Sequence, residues 1–558
     1  MAEREWTPDQ KNAIEARGGT LLVSAAAGSG KTAVLVERVV QRLLDPINGC
    51  DADRLLVVTF TKAAAAEMRE RISAALSARL AARPDDARLL RQQMLLPCAA
   101  ICTIDSFCND LVRENFHRLD LAPDYKILDA GELTLLRSEA MDIAMEEFYQ
   151  KGDPAFTELL ELVRKGRDDA ELTETVSRLY DYTQAYPFPE EWIQHARALC
   201  RADLPEQENP WMAEIRAYLA QALAFAQHTA QSACALLETE PALCEKYAPA
   251  FDSDLNALTR VQAALTGGWD ALCDALNAIS FVRMPNAPRE YANSPIKAAA
   301  KESRDRVKDT VKKMQESLCA NAAENAEDMA YLAPLLNQLF DLTLRFSEEF
   351  TRLKRGRHAA DFFDIEHMAL SLLVERKGGT LCRSPLAQEL SARYEEILVD
   401  EYQDTNLVQE TILEMLLNKK HNSLFTVGDV KQSIYRFRQA RPDLFLRRKD
   451  QYISQADAGV SIELRDNFRS APGVLTFTNY IFSQLMEKEF GGVDYNEKTS
   501  LRPGDGGPMM QDEETSEILF FQKDSASALK EVPEDILAES AVICKRIKEL
   551  IEEGYHYG

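Results

Sequence analysis

The stretch SAAAGSGKTAV, Ser24 to Val34, constrains this chain more than any other. The apolar run TLLV leading into it predicts a short buried strand, and AVLVERVVQRLL after it has helical periodicity. Between them lies a loop of small residues that ends in Gly30, Lys31 and Thr32. Such a loop lets backbone N–H groups turn inward around an anion, and the helix N-terminus adds partial positive charge. Lys31 can reach the terminal phosphates of a nucleotide, and the Thr32 hydroxyl can hold Mg²⁺. Ala25 stands where the common pattern has its first glycine, a small departure that leaves room. With Gly28, Ser29 and Gly30 it predicts a phosphate cradle. The alternative is a Gly/Ala-rich turn with a chance lysine, and the strand–loop–helix context argues against it.

With 558 residues the chain exceeds one core, so roughly two to four domains are expected. The composition, 46% hydrophobic and 28% charged, is that of an ordinary globular chain. No apolar run reaches the ~18 residues of a membrane span, and MAEREWTPDQ lacks an apolar signal core, so a cytoplasmic protein without membrane contact is expected. The closest cysteines, Cys98, Cys102 and Cys108, contain no C-x-x-C pair and read as reduced thiols rather than metal ligands. A net charge of −25 argues against a surface coated in positive charge, but leaves room for a local basic or aromatic groove.

Apolar runs recur at RLLVVTFT (54–61), AAICTIDSF (99–107), EEILVDE (395–401) and SLFTVGD (423–429), with helical patterns between them. They predict a mostly parallel sheet covered on both faces. From about Pro123 to Phe350 the chain is rich in Ala, Leu, Glu and Lys with helical periodicity, and reads as a helical insertion. After Asp450 a second α/β unit is expected: SIELRDNFRS, GVLTFTNYIFSQLM, a strand ILFFQK and an amphipathic helix ILAESAVICKRIKELIEEG.

A nucleotide hydrolase needs an acidic element facing the cradle. ILVDEYQDTN supplies it: Asp400 and Glu401 close an apolar strand. Asp400 would hold Mg²⁺, mostly through water, and Glu401 would orient and deprotonate the attacking water.

WTPDQKNAI, AAAGSGKT, VVTFTKAAAAEMRERI, TIDSFC, ILVDEYQDTN, LFTVGDVKQSIYRFRQARPDLF and LRDNFRS follow one another over residues 6–470. In this order they resemble the superfamily 1 DNA helicases of the UvrD/Rep/RecB type. LLVSAAAGSGKTAVLVERVV and VDEYQDTNLVQE are most similar to the AddA branch, the helicase–nuclease subunits of double-strand-break repair complexes. The resemblance implies an α/β P-loop NTPase with RecA-like parallel-sheet domains and a large helical insertion. Residues 1–122 with 351–450 would form the first RecA-like domain, 123–350 the insertion, and 451–558 an incomplete second RecA-like domain.

It also implies roles. Gln10 would read the adenine edge and Phe468 stack on the base. Lys31 and Arg469 would meet the phosphates, and Gln432 would sense the terminal one. Phe60, Lys62, Ser106, Phe107, Tyr435, Phe437 and Arg438 would face DNA, since single strands are gripped by aromatic stacking and backbone charge. The sequence departs from the family at Ala33, where Arg is common, at Phe437, where Trp is common, and at Asp105, where His is common.

ATP and Mg²⁺ are the implied cofactors. The implied partners are single-stranded or duplex DNA and an AddB-type subunit. The implied activity is a 3′ to 5′ DNA translocase and helicase in break repair. A UvrD/Rep-like repair helicase without a nuclease partner, or a non-catalytic ATP-gated DNA-binding scaffold, are the alternatives. No later helicase motif follows LRDNFRS, and no carboxylate-and-lysine nuclease site is found. The expectation is therefore weak ATP hydrolysis, no unwinding of long duplexes, no DNA cutting, and loose packing after about Leu501.

Overall fold

The structure, a computed structural model, describes residues 5–554 apart from 120, 167, 292, 319, 456, 489–491, 498, 506–516, 518 and 520–533. Two compact units emerge, one from 1–115 with 368–558 and the other from 116–367.

The first unit is built on a six-stranded parallel sheet. Its strands are β1 (Thr20–Ala25), β2 (Leu55–Thr59), β3 (Ala100–Thr103), β4 (Glu396–Val399), β5 (Ser423–Gly428) and β6 (Val460–Leu464). Their order across the sheet is β6-β1-β5-β4-β2-β3. β2, β4 and β5 are buried at every position, the pattern of strands covered on both faces. The helix α1 (Pro8–Glu15) precedes β1, and α2 (Lys31–Leu44) follows it. α2 packs Val34, Leu35, Val39, Val40 and Leu43 into a core with Val57, Leu398 and Phe425. Arg38, on the same helix, is buried too. It is admitted because Glu396 lies 2.6 Å away and the Phe425 ring centre 4.7 Å away.

This is the α/β class expected from the sequence. Two local readings differ. The strand Val460–Leu464, expected to open a second unit, is the edge strand of this sheet, with Val23 opposite Ile462 and Ala25 opposite Leu464. And the strand expected over AAICTIDSF stops at Thr103, which ends β3 and caps the helix Ile104–Glu114 by accepting the Ser106 N–H at 3.1 Å. The strand expected over ILFFQK lies almost wholly outside the described residues, whereas Glu534–Glu552 is helical.

The second unit is mostly helical. One core joins Pro210–Leu237, Pro241–Ala264, Trp269–Asn277 and Pro295–Ser317 through Leu219, Phe251, Trp269 and Met314. Another joins Ala130–Lys151, Ala170–Gln184 and Ala322–Gly356 through Met141, Val176, Phe346 and Phe350. Among the described residues no helix is long and apolar enough to cross a membrane.

Candidate active site

Parallel strands present their C-terminal ends along one edge, the usual place for ligands in such sheets. Because β1, β5 and β4 are neighbours, the segments that follow them converge: the Gly-rich loop, Asp429–Gln432 and Asp400–Glu401.

The loop after β1 turns at two left-handed glycines, Gly28 at φ 69° and Gly30 at φ 83°. Gly28 is required twice, since a Cβ there would also fall 2.7 Å from the Asn467 side chain. Asn467 Nδ2 donates to the Ala27 carbonyl at 2.8 Å, and the Phe468 N–H donates to the Gly28 carbonyl at 3.0 Å. Asn467 Oδ1 accepts the N–H groups of Arg469 and Ser470. The NFRS segment is thus moored on the loop. Sequence reading passed over Asn467; its place between an aspartate and Phe-Arg was the available signal. Gln10 is buried, held in a capping box with Thr7, and donates Nε2 to the Ser29 carbonyl at 2.9 Å. The Phe468 ring lies against Gly504, whose notional Cβ would fall 2.4 Å from it, and Arg469 is exposed.

Lys31 Nζ donates to Glu401 Oε2 at 3.1 Å and to Gln432 Oε1 at 3.4 Å. Glu401 has φ 53°, a left-handed conformation that is strained for a residue with a Cβ and is common at functional sites. Its carboxylate also accepts from Gln403 Nε2 at 2.8 Å. A cavity of about 340 Å³ is lined by Thr32, Phe60, Asp400, Glu401, Asp404 and Gln432, among others.

Burial, then the charge of Glu401, pushes the Asp400 carboxyl up to about 6, with Lys31 pulling the other way. Asp404 is likewise pushed up to about 6, by burial and then Glu401. Clustered carboxylates short of positive charge suit a cation. The donors at hand, the Thr32 hydroxyl and Asp400, suit Mg²⁺, which keeps waters and takes phosphate oxygens. Among the described residues no three His, Cys, Asp or Glu side chains form a metal cage. The Ser29 hydroxyl is buried with no hydrogen-bond partner among the described residues, consistent with a cradle made for an anion's oxygens.

The raised carboxyl of Asp400 has a consequence for stability. A carboxyl whose folded pKa lies above its unfolded value stabilises the fold below the unfolded value, about 4, and loses that contribution as pH rises through about 6. Asp400→Asn removes the cost of the buried charge. Without nucleotide it should be more stable than the parent at pH 8, by about 1–3 kcal/mol, with the gain vanishing near pH 4. Thermal melts of both proteins across that range check this; a gain independent of pH would mean that ionisation of Asp400 costs nothing.

Beside the cavity lies an aromatic cluster. The Phe60 and Tyr435 rings are 4.6 Å apart, and Tyr435 and Phe437 are 5.7 Å apart. The Arg438 guanidinium lies 5.5–5.9 Å from all three ring centres. Phe437 is 75% exposed. Lys62 is exposed at the start of the helix Lys62–Ala82, which Thr61 caps. Ser106 is half-buried, with its hydroxyl 2.9 Å from that of Thr103. Phe107 does not join this surface. It is buried, with its ring centre 6.3 Å from Tyr394, and has no face open for stacking.

Residues 6–453 match the family model for the UvrD/REP helicase N-terminal domain. The chain is 37% identical over 99% of its length to a protein of Bacillus pumilus named as the A-type subunit of an ATP-dependent helicase/nuclease, covering 45% of that relative. Proteins of the same name from Ruminiclostridium cellulolyticum and Geobacillus kaustophilus are 38% and 37% identical over 92% and 100% of the chain, of which it covers 42% and 46%. The chain therefore spans a little under half the length of these curated relatives. Their name carries the finer resemblance read from the sequence, that to the A-type chains of helicase–nucleases. The Gly-rich loop after β1, the acidic pair after β4 and the glutamine after β5 all fall within the matched residues: the chain belongs to the UvrD/REP helicase N-terminal domain family.

Proposed function

We propose that this chain is an ATP-dependent DNA helicase motor that moves 3′ to 5′ on single-stranded DNA. We place it in double-strand-break repair and recombination, in the cytoplasm, as the A-type component of a helicase–nuclease complex with a B-type partner. The observation that carries this is the meeting of Lys31, Glu401 and Gln432 at a cavity whose wall includes Phe60 and Tyr435, rings of the aromatic cluster.

In this reading Lys31 and the loop Ala25–Thr32 bind the phosphates, with Arg469 as a further cation. Gln10 and Phe468 take the base. Thr32 and Asp400 hold Mg²⁺, which when bound neutralises charge developing on the phosphate oxygens. Glu401 draws a proton from the attacking water. Its bond to Lys31 would be exchanged as Lys31 turns to phosphate, leaving the carboxylate, still held at Oε2 by Gln403, free to take the proton at its other oxygen. Gln432 shares Lys31 with Glu401 and lies three residues before Tyr435, so a change at the phosphates has a short path to the rings. Phe60, Tyr435, Phe437 and Arg438, with Lys62 and Ser106, would carry the DNA strand without reading its sequence. Residues 1–122 with 351–464 would act as the first motor domain, because Val460–Leu464 completes its sheet, 123–350 as its helical insertion, and the chain after Leu464 as the start of a second motor domain.

ATP hydrolysis with and without single-stranded DNA, and displacement of streptavidin from 3′- or 5′-biotinylated strands, test the proposal. Hydrolysis stimulated by DNA and faster displacement at the 5′ end are expected. ATP binding without hydrolysis would favour a scaffold and overturn it.

Phe437→Ala should weaken single-stranded DNA binding by about 1–3 kcal/mol, similarly for all sequences, as for one lost stacking platform. Fluorescence anisotropy measures it. Unchanged affinity with an intact circular dichroism spectrum would leave Phe437 outside the DNA path.

A further inference from the structure

Gln403 lies in the short turn Tyr402–Asp404 and is 2% exposed. Its amide is engaged at both ends. Nε2 donates to Glu401 Oε2 at 2.8 Å and to Asp404 Oδ2 at 3.3 Å, while Oε1 accepts the Asp429 N–H at 3.0 Å. The orientation of the amide is fixed, because flipping it would turn oxygen toward two carboxylates and nitrogen toward an N–H. Asp429 in turn accepts from Gln432 Nε2 at 2.9 Å, and Lys31 joins Gln432 to Glu401. The hydrogen bonds close a ring: Lys31, Glu401, Gln403, Asp429, Gln432.

One position in β5 records how tightly this ring is packed. A Cβ on Gly428 would fall 2.2 Å from Gln403 Oε1 and 3.2 Å from the Tyr402 nitrogen. A glycine at the end of a fully buried strand leaves the space that the amide occupies.

We propose that Gln403 is a positioning residue, whose amide holds the Glu401 carboxylate and ties it to the segment beginning at Asp429. This rests on the role proposed above for Glu401. Of the two side chains that donate to Glu401 among the described residues, Lys31 is the one a nucleotide would draw away; Gln403, buried beneath, stays. It keeps one carboxylate oxygen engaged while the loop through Gln432 to Phe437 remains in register with it. Loss of the amide leaves the phosphate loop untouched, so the effect should fall on turnover and not on nucleotide affinity.

The test uses Gln403→Met, of similar length without polar atoms, and Gly428→Ala, which displaces the amide and changes no polar group. For both, kcat of ATP hydrolysis should fall about 10–100-fold, as for a misplaced catalytic group. The Kd of a fluorescent non-hydrolysable ATP analogue with Mg²⁺ should stay within about threefold of the parent. The DNA concentration giving half-maximal stimulation should rise. A merely structural role would lower the melting temperature and scale down active protein, leaving that concentration unmoved. Turnover within about twofold of the parent in a folded Gln403→Met protein overturns the inference, as does a proportional loss of affinity and kcat in both variants. A parent whose hydrolysis DNA does not stimulate overturns the helicase reading instead, and kcat without DNA still decides Gln403.

Discussion

Glu401→Gln should bind ATP and Mg²⁺ nearly as the parent does and hydrolyse ATP about 10²–10⁴-fold more slowly, the usual cost of losing a general base. The substitution keeps length and shape. It removes the one group at the cavity that both accepts from Lys31 and stands on a strained φ of 53°. Asp400, one residue earlier and directly after β4, keeps its carboxylate and with it the Mg²⁺ role proposed for it. Phosphate release from the full chain with saturating ATP and single-stranded DNA measures the loss, and a fluorescent nucleotide titration measures binding. Near-normal turnover would remove Glu401 from its role. Binding lost in step with turnover would make it a structural partner of Lys31.

The largest effect on stability is expected in the helical unit. Arg304 Nε and Nη2 meet the two oxygens of Asp254 at 2.6 and 3.0 Å, with side-chain exposures of 2% and 0%, and Nη2 also donates to the Val282 carbonyl at 2.7 Å. A bidentate pair this deep repays its desolvation only while both charges are present. Asp254→Ala strands a buried guanidinium and should destabilise the unit by about 3–5 kcal/mol. The double variant Asp254→Leu with Arg304→Met should recover most of that, because it removes the uncompensated charge. Urea unfolding followed by circular dichroism distinguishes the two. A loss under about 1 kcal/mol for Asp254→Ala would show that water reaches Arg304 there.

What could be read from the chain alone was local and contiguous. A strand, a loop of small residues and a helix opening on Lys31-Thr32 lie within 25 residues, Thr20–Leu44. The loop's left-handed turns need glycines that are visible as letters. The acidic pair at the end of β4 was legible for the same reason, as were the apolar runs that became β1, β2, β4 and β5. Periodicity, however, reports that a segment is buried, not what it is buried against. It could not say that Val460–Leu464 adds to the first sheet, because an edge strand looks the same whichever sheet it joins. Nor could it say that Phe107 faces inward, a matter decided by Tyr394, nearly 290 residues away in the chain. The strand order β6-β1-β5-β4-β2-β3 brings Lys31 to Glu401 and Gln432 across 370 and 401 positions. Asn467 on the loop and Gln403 against Gly428 have meaning only at those contacts. A hydrogen bond between remote segments is set by where the sheet puts two backbones, and no pattern within either segment encodes it.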